Sequence, residues 1–272
     1  MAKSDIFVGR KKELAEFAKI LEDPRGQAIL VVGQSGMGKT LLVNEMVKRA
    51  EKGILDEKTK GLKVWSIRYE ITPDVAATST MERIIMDASM LASPIKKKLG
   101  MIGEHREKWK ALFGIGGVIP VFGQSVKAAG EAILSLCQSK EGNTQSKFIE
   151  TLKKLSEYMA DTQRAIFVID PEKWMPKDSD NAWKLVVKEL PAKIKLVFPQ
   201  RPDDILVSSR QFCGLKNVVH VPKSKVKELD ADAIDNLVSD YAVRTGRGAN
   251  ELHSAVARYK RHPYAVAAAL AD

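Results

Sequence analysis

The clearest chemical pattern in the chain is the stretch GQSGMGKT at residues 33–40. Gly33, Gly38, Lys39 and Thr40 match the spacing G-x-x-x-x-G-K-[ST], which is typical of loops that hold nucleotide phosphates. Glycines let backbone N–H groups turn toward an anion, Lys39 reaches the outer phosphates, and Thr40 offers a hydroxyl to Mg²⁺. The residues predicted to contact a nucleotide here are Gly33, Gln34, Ser35, Gly36, Met37, Gly38, Lys39, Thr40 and Leu41.

An aspartate at the end of the apolar run AIFVID (165–170) gives the second signal. Asp170 is predicted to complete the Mg²⁺ shell with Thr40, although such an aspartate is also common as a turn residue. Glu172 follows Pro171, and two roles stay open for it: orienting the attacking water, or a solvated turn. Asp178 and Asp180 lie further along the chain and fit a helix cap region better.

Arg201 follows a third apolar run, KIKLVFP at 193–199. The carboxyl ends of parallel strands line the crevice in which ligands of open α/β sheets bind, so Arg201 is predicted to contact the γ-phosphate. The alternative is a surface arginine paired with Asp203 or Asp204. The predicted catalytic set is Lys39, Asp170, Glu172 and Arg201.

The hydrophobic pattern supplies the elements that must position these residues. Strands are predicted over 28–32, 63–71, 165–170, 193–199 and 217–222. Helices are predicted over 9–23, 40–52, 78–93, 142–160, 179–190 and from 228 to the end. This alternation predicts an α/β fold: a doubly wound, mainly parallel five-stranded domain at 1–222, with a small helical domain at 223–272. The apolar segment 113–123 is interpreted as a packed loop, or else as a membrane or partner patch.

Composition narrows the class of protein. The 272 residues carry a net charge of +10, which attracts polyanions and leaves direct DNA contact open, although no recognised reader motif accompanies it. No apolar run is long enough for a membrane span, and the start lacks the apolar core of a signal peptide. Cys137 and Cys213 lie far apart, which fits a reducing cytoplasm and excludes a disulfide framework.

The segment FVGRKKEL (7–14) before the loop resembles the opening of the STAND signalling ATPases and of related AAA+ ATPases. The loop resembles their Walker A motif, Asp170 their Walker B aspartate and Arg201 their sensor arginine. RHPYAVAAAL (261–270) resembles their helical lid, which implies that Pro263 closes over the adenine. The resemblance further implies an adenine pocket formed by Phe7, Val8 and Gly9, with Arg10 beside the nucleotide.

The resemblance implies a switch that binds ATP or ADP with Mg²⁺, hydrolyses ATP slowly, couples nucleotide state to core–lid rearrangement, and self-associates on ATP binding. Two features depart from the family pattern. The triplet DPE replaces the usual acid pair after the Walker B strand, which puts fast hydrolysis in doubt. The chain also stops inside or just after the lid, which favours a core cut from a longer protein.

Other functions share some of these motifs. A DNA-binding AAA+ ATPase of the initiator or transposition-regulator type has the same entry segment and loop, and the basic charge would serve phosphate contacts. A scaffold that keeps ADP as a structural ligand is a third interpretation. A small-molecule kinase suits the entry segment and lid less well. GTP is disfavoured because KELD (227–230) does not match the guanine-reading N-K-x-D motif.

Overall fold

We describe the fold from a computed structural model. The structure describes residue 7, the ranges 9–89, 142–171, 174–222 and 231–257, and residues 229, 266 and 270. Its helices are α1 (Lys11–Glu22), α2 (Lys39–Glu51), a 3₁₀ turn (Glu57–Thr59), α3 (Ala77–Ser89), α4 (Thr144–Tyr158), α5 (Ser179–Lys188), α6 (Ile205–Ser208), α7 (Arg210–Cys213), α8 (Ala231–Thr245) and α9 (Ala249–Ala257). Its strands are β1 (Gln27–Val32), β2 (Lys63–Ile71), β3 (Gln163–Pro171), β4 (Ile194–Gln200) and β5 (Val218–His220).

The five strands form one parallel sheet in the order β2-β3-β4-β1-β5. Every residue of β1 and of β4 is buried, as expected for strands covered on both faces. Because the strands are parallel, all their carboxyl ends lie at the same end of the sheet, which we call its carboxyl edge. The loops that follow β1, β3 and β4 therefore meet there, and the prediction of a doubly wound α/β fold is confirmed.

Alternate residues of each strand supply two separate cores. On β1, Ile29 and Val31 pack with α1 and α2, while Ala28, Leu30 and Val32 pack with the helices on the opposite face. The same alternation runs through β3, where residues 165, 167 and 169 face α3, α4 and α5 and residues 166 and 168 face α1 and α2. This period of two makes a three-layered domain and fixes the face to which each strand residue points.

At the amino-terminal edge of the sheet, buried cations satisfy carbonyl groups that the α1–β1 connection leaves open. Lys195 donates to Asp23 O and Arg25 O, both at 2.8 Å, and to Gln27 Oε1 at 2.5 Å. Arg164 donates through Nε to Leu21 O at 2.9 Å, in the last turn of α1. These bonds tie α1 to β3 and β4, on the side of the sheet away from the loop at 33–38.

The carboxy-terminal helices have a core of their own. Leu237 and Val238 of α8 pack with Leu252 and Val256 of α9, and Val266 and Leu270 belong to the same cluster. Gly9 lies against α8, because a Cβ built on it would come within 2.9 Å of Ala233 Cβ. The entry segment before α1 therefore touches the first of these helices. The predicted division at residues 222/223 stays a prediction.

Most predicted elements are found within a few residues of their expected bounds, including β2 over Lys63–Ile71. The short helices α6 and α7, which follow the predicted strand at 193–199, were not predicted. The apolar segment 113–123 lies outside the described residues. Among the residues that are described, no helix combines the length and apolar character that crossing a bilayer requires.

Candidate nucleotide-binding site

The loop between β1 and α2 has the backbone shape of an anion cradle. Gly36 and Gly38 adopt left-handed backbones with φ of 77° and 75°, which a side chain would strain. Gly33 N donates to Gln200 O at 3.1 Å, so the loop begins fixed to the end of β4. Gly38 caps α2, whose first turn contains no acidic residue, and the N-terminus of the helix therefore attracts an anion.

The side chains of this loop are open to a ligand. Gln34, Ser35, Thr40 and Leu41 are exposed. Lys39 Nζ folds back and donates to Gln34 O at 2.9 Å, inside its own loop. Burial lowers the pKa of Lys39, and the positive charge of Arg201 lowers it further. The sheet thus brings together two cations that the sequence separates by more than a hundred residues.

Arg201 lies over an aromatic ring. This contact differs from the alternative interpretation, in which Arg201 would pair with Asp203 or Asp204. Its guanidinium carbon is 4.7 Å from the centre of the Trp174 ring. Asp204 is buried, and its Oδ2 accepts from Met175 N at 3.1 Å. This bond joins the turn after β4 to the segment after β3, next to the stacked pair. Burial raises the pKa of Asp204, and the backbone N–H groups around it oppose that shift.

Asp170 is the penultimate residue of β3 and lies on the face that carries α2, as do Ile166 and Val168. Its carboxylate forms an ion pair with Arg68 of β2, and Arg68 Nη1 also donates to Asn44 Oδ1 of α2. Glu70 stands opposite Asp170 in the β2–β3 register. Asp170, Arg68 and Glu70 therefore share one face beside the helix that begins with Lys39 and Thr40.

The entry segment lies against the same loop. Arg10 Nη2 donates to Met37 O at 3.3 Å, and its Nη1 pairs with Glu13 at 3.2 Å. Gly9 and Arg10 are both left-handed, with φ of 69° and 59°, and the second is an uncommon backbone for a residue that has a side chain. Phe7 packs on the core beneath α2, with the guanidinium carbon of Arg49 5.8 Å from its ring centre.

Asp178 lies at the N-cap position of α5, in a helix cap region as predicted. It is the residue before α5, but its side chain makes no capping bond to that helix. Instead its two oxygens accept from Ala77 N at 3.0 and 3.1 Å, at the start of α3. The prediction of a helix cap region for Asp178 and Asp180 is confirmed, and the side chain of Asp178 additionally binds the first backbone N–H of α3. Val8, Glu172 and Pro263 lie outside the described residues.

Four residues near these groups were not predicted as part of the site: Asn44, Arg68, Glu70 and Trp174. Arg68 and Glu70 had a readable signal, since charged residues at alternate positions of a strand must face the same side. Trp174 had a weaker one, an aromatic residue shortly after the candidate metal ligand. No group of three or more His, Cys, Asp or Glu suited to a metal occurs in the described ranges.

Comparison with known proteins places the chain. No curated protein sequence matches it significantly. A solved structure, the Orc1 protein of Aeropyrum pernix in complex with DNA, aligns over 97% of this chain and 58% of its own, at 16% identity and a TM-score of 0.47. This chain thus corresponds to well under two thirds of that protein. The family model described as "AAA ATPase domain" matches residues 6–198, which is most of the chain. The chain therefore belongs to the AAA ATPase domain family.

Proposed function

We propose that this protein binds ATP and ADP, with Mg²⁺, at the carboxyl edge of its sheet and uses the bound nucleotide as a switch. The observation that carries the proposal is the meeting of Lys39 and Arg201. Burial lowers the pKa of Lys39, at the start of α2, and Arg201, in the loop after β4, lies close enough for its charge to lower it further. A polyanion bound between them would relieve that repulsion, and the left-handed glycines beside them supply backbone donors.

The residues present fit a magnesium ion. The Thr40 hydroxyl at the start of α2 and the Asp170 carboxylate at the end of β3 are the hard oxygen ligands that Mg²⁺ accepts. Asp170 already holds a cation, the Arg68 guanidinium, so its carboxylate is placed to meet positive charge. A bound Mg²⁺ would neutralise charge on the phosphates. Lys39 would leave Gln34 O and contact the outer phosphates.

The switch would work through Arg201. We propose that it contacts the γ-phosphate and leaves the Trp174 ring when ATP replaces ADP. Because Asp204 ties the Arg201 turn to the Trp174 segment, movement of one loop would pull on the other. The contact of Gly9 with α8 would carry nucleotide state to the carboxy-terminal helices. A switch needs this difference in contacts between its two states.

Slow hydrolysis of ATP is part of the proposal. Glu172 is the proposed water-orienting residue, and Pro171, the last residue of β3, separates it from Asp170. A rigid proline at that point restricts the approach of the acid to water. Single-turnover phosphate release would test this. Glu172→Gln should slow release without weakening ATP binding, and an unchanged rate in that variant would remove Glu172 from the mechanism.

Calorimetry of nucleotide binding tests the site itself. Lys39→Ala should weaken ATP binding by about 10- to 100-fold, because the phosphates lose a charge-assisted bond. Lys48→Ala is the matched control, since Lys48 is an exposed lysine further along the same helix. Equal ATP affinity in wild type and Lys39→Ala would refute the site.

The net charge of +10 favours a second candidate, a DNA-binding ATPase of the initiator or transposition-regulator type. Phosphate contacts by lysine and arginine make DNA affinity fall steeply as salt rises. Fluorescence anisotropy with a labelled duplex over a range of salt concentrations would test it. The absence of binding in dilute salt, with and without ATP, would dismiss it.

A further inference from the structure

Arg68 lies beside Asp170 on the same face of the sheet and forms an ion pair with it. β2 is the edge strand beside β3, and residues 68 and 170 are both at positions that point toward α2. The guanidinium pairs with Asp170 and donates to Asn44 of α2. It therefore bridges β3 to the helix whose first two residues are Lys39 and Thr40. The proposed metal ligand already has a cation of the chain's own.

A second carboxylate lies beside the same guanidinium. Glu70 is two residues along β2, on the same face, and it stands directly opposite Asp170 in the register. Burial lowers the pKa of Arg68, and the negative charge of Glu70 acts against that shift. Glu70 is exposed, so its carboxylate is free to move. One arginine thus lies within the influence of two acids, only one of which it holds.

One N–H donor of the Arg68 guanidinium lacks an acceptor. Its Nε is buried and has no hydrogen-bond acceptor in the described part of the chain. A guanidinium that only braced the sheet would be expected to satisfy every buried donor, because an unpaired one costs free energy. Arg68 instead uses its Nη atoms to contact Asp170 and Asn44, and its charged group stays half-buried beside Asp170. This arrangement suits a side chain that exchanges partners.

We propose that Arg68 is a displaceable counter-ion of Asp170, which it holds until Mg²⁺ arrives with the nucleotide. Mg²⁺ coordinates deprotonated carboxylate oxygens, so it competes with the Arg68 guanidinium for Asp170 Oδ2. Glu70 receives the released Arg68, which keeps the positive charge paired after the exchange. Arg68 thereby raises the Mg²⁺ concentration that nucleotide binding needs. It acts through Asp170 as a positioning residue, and the inference rests on the proposed nucleotide site.

Binding of a fluorescent ADP, titrated with Mg²⁺ from none to excess, measures this competition without any turnover. In Arg68→Gln the competing charge is gone, and the half-saturating Mg²⁺ concentration should fall by about fivefold, the effect of removing an ion pair of about 1 kcal/mol from one side of the equilibrium. Arg68→Lys keeps the positive charge but loses the planar donor fork, so its half-saturating Mg²⁺ concentration should lie between those of wild type and Arg68→Gln. Arg25→Gln removes an arginine from the opposite edge of the sheet, where it pairs with Asp23, and should leave the Mg²⁺ requirement unchanged.

An unchanged or raised Mg²⁺ requirement in Arg68→Gln would overturn the inference and leave Arg68 a structural brace. Should Arg68→Gln not fold, Asn44→Ala provides the same test, since it removes only the α2 end of the bridge. Half-saturation should then fall by about twofold to threefold, and no decrease would count against the proposal. Mn²⁺ bound per protein, followed by its EPR signal with ADP, is an independent readout. Failure of wild type to bind ADP would instead defeat the proposed nucleotide site and the inference with it.

Discussion

The guanidinium carbon of Arg201 lies 4.7 Å from the centre of the Trp174 ring, across two loops that follow different strands. Such stacking is worth about 0.5–1 kcal/mol at an exposed site, and more where water is excluded. The pair is thus strong enough to hold the arginine and weak enough to release it to a phosphate. Trp174 is 38% exposed, so its fluorescence can report that release.

Replacing Trp174 tests this relationship. In wild type, ATP should change tryptophan emission more than ADP does, because only ATP draws Arg201 from the ring. In Trp174→Phe, the difference in tryptophan emission between the ATP-bound and ADP-bound protein should largely vanish. Trp174→Ala should raise ATP affinity relative to ADP by about two- to fivefold, the value of the lost stacking contact. Identical emission with both nucleotides would contradict the release of Arg201.

Asp204 should be essential for the link between these loops. Asp204→Ala removes the acceptor of Met175 N and should lower the free energy of unfolding by about 1–3 kcal/mol. Asp204→Asn keeps an acceptor and, because burial raises the pKa of Asp204, removes a charge that the site disfavours. It should therefore cost less than the alanine variant. Urea unfolding measures both, and Asp203→Ala, at an exposed neighbouring aspartate, is the control.

Two features of position 9, its backbone angle and its contact with α8, favour glycine there. Its φ is +69°, and an added Cβ would come within 2.9 Å of Ala233 Cβ on α8. Gly9→Ala should cost about 1–3 kcal/mol of stability through backbone strain and displacement of α8. Gly61→Ala is the matched control, because nothing lies within 4 Å of a Cβ there. Thermal unfolding followed by circular dichroism should separate the two variants, and equal melting temperatures would show that α8 moves aside freely.

Lys195 predicts a pH dependence. Burial lowers its pKa to about 7 from 10.5, although its three oxygen acceptors favour the charged form. Between these pH values the unfolded chain binds a proton that the folded chain lacks, so the free energy of unfolding should rise with pH. The slope is at most about 1.4 kcal/mol per pH unit.

Lys195→Met provides the comparison for that slope. The variant should be less stable overall, because the carbonyls of Asp23 and Arg25 lose their donor, and it should lack the rise in stability above about pH 7. Urea unfolding at pH 6.5, 7.5 and 8.5 is the measurement. Parallel curves for the two proteins would show that the acceptors keep Lys195 charged throughout the range.

The sequence contained enough to predict the sheet and the loop. Short runs such as 28–32 and 193–199, which are bounded by turn residues, are typical of strands buried on both faces, and glycine at positions 36 and 38 permits the left-handed backbones found there. The period of two in β2 also placed Arg68 and Glu70 on one face. These are local properties, which depend on neighbouring residues in the chain.

The partners across the fold were not predictable in the same way. Arg68 meets Asp170 because β2 lies beside β3, and the strand order is decided by how the helices pack, not by any one strand. The Asp178 side chain accepts from Ala77 N at the start of α3, 101 residues away, rather than from its own helix. Arg201 and Trp174 likewise meet only through their loops. Each contact is set by tertiary packing.

The strand order also fixes the distance across the candidate site. β4 lies between β1 and β3, so the loop after β1 and the acid at the end of β3 are held two strand spacings apart, roughly 10 Å. The register brings Val32 level with Gln200, which places Arg201 at the middle of that gap. The width is therefore fixed by backbone hydrogen bonds. Side chains at the carboxyl edge can change which anion is preferred. The size of the group that fits between the loop after β1 and Asp170 is determined by the sheet.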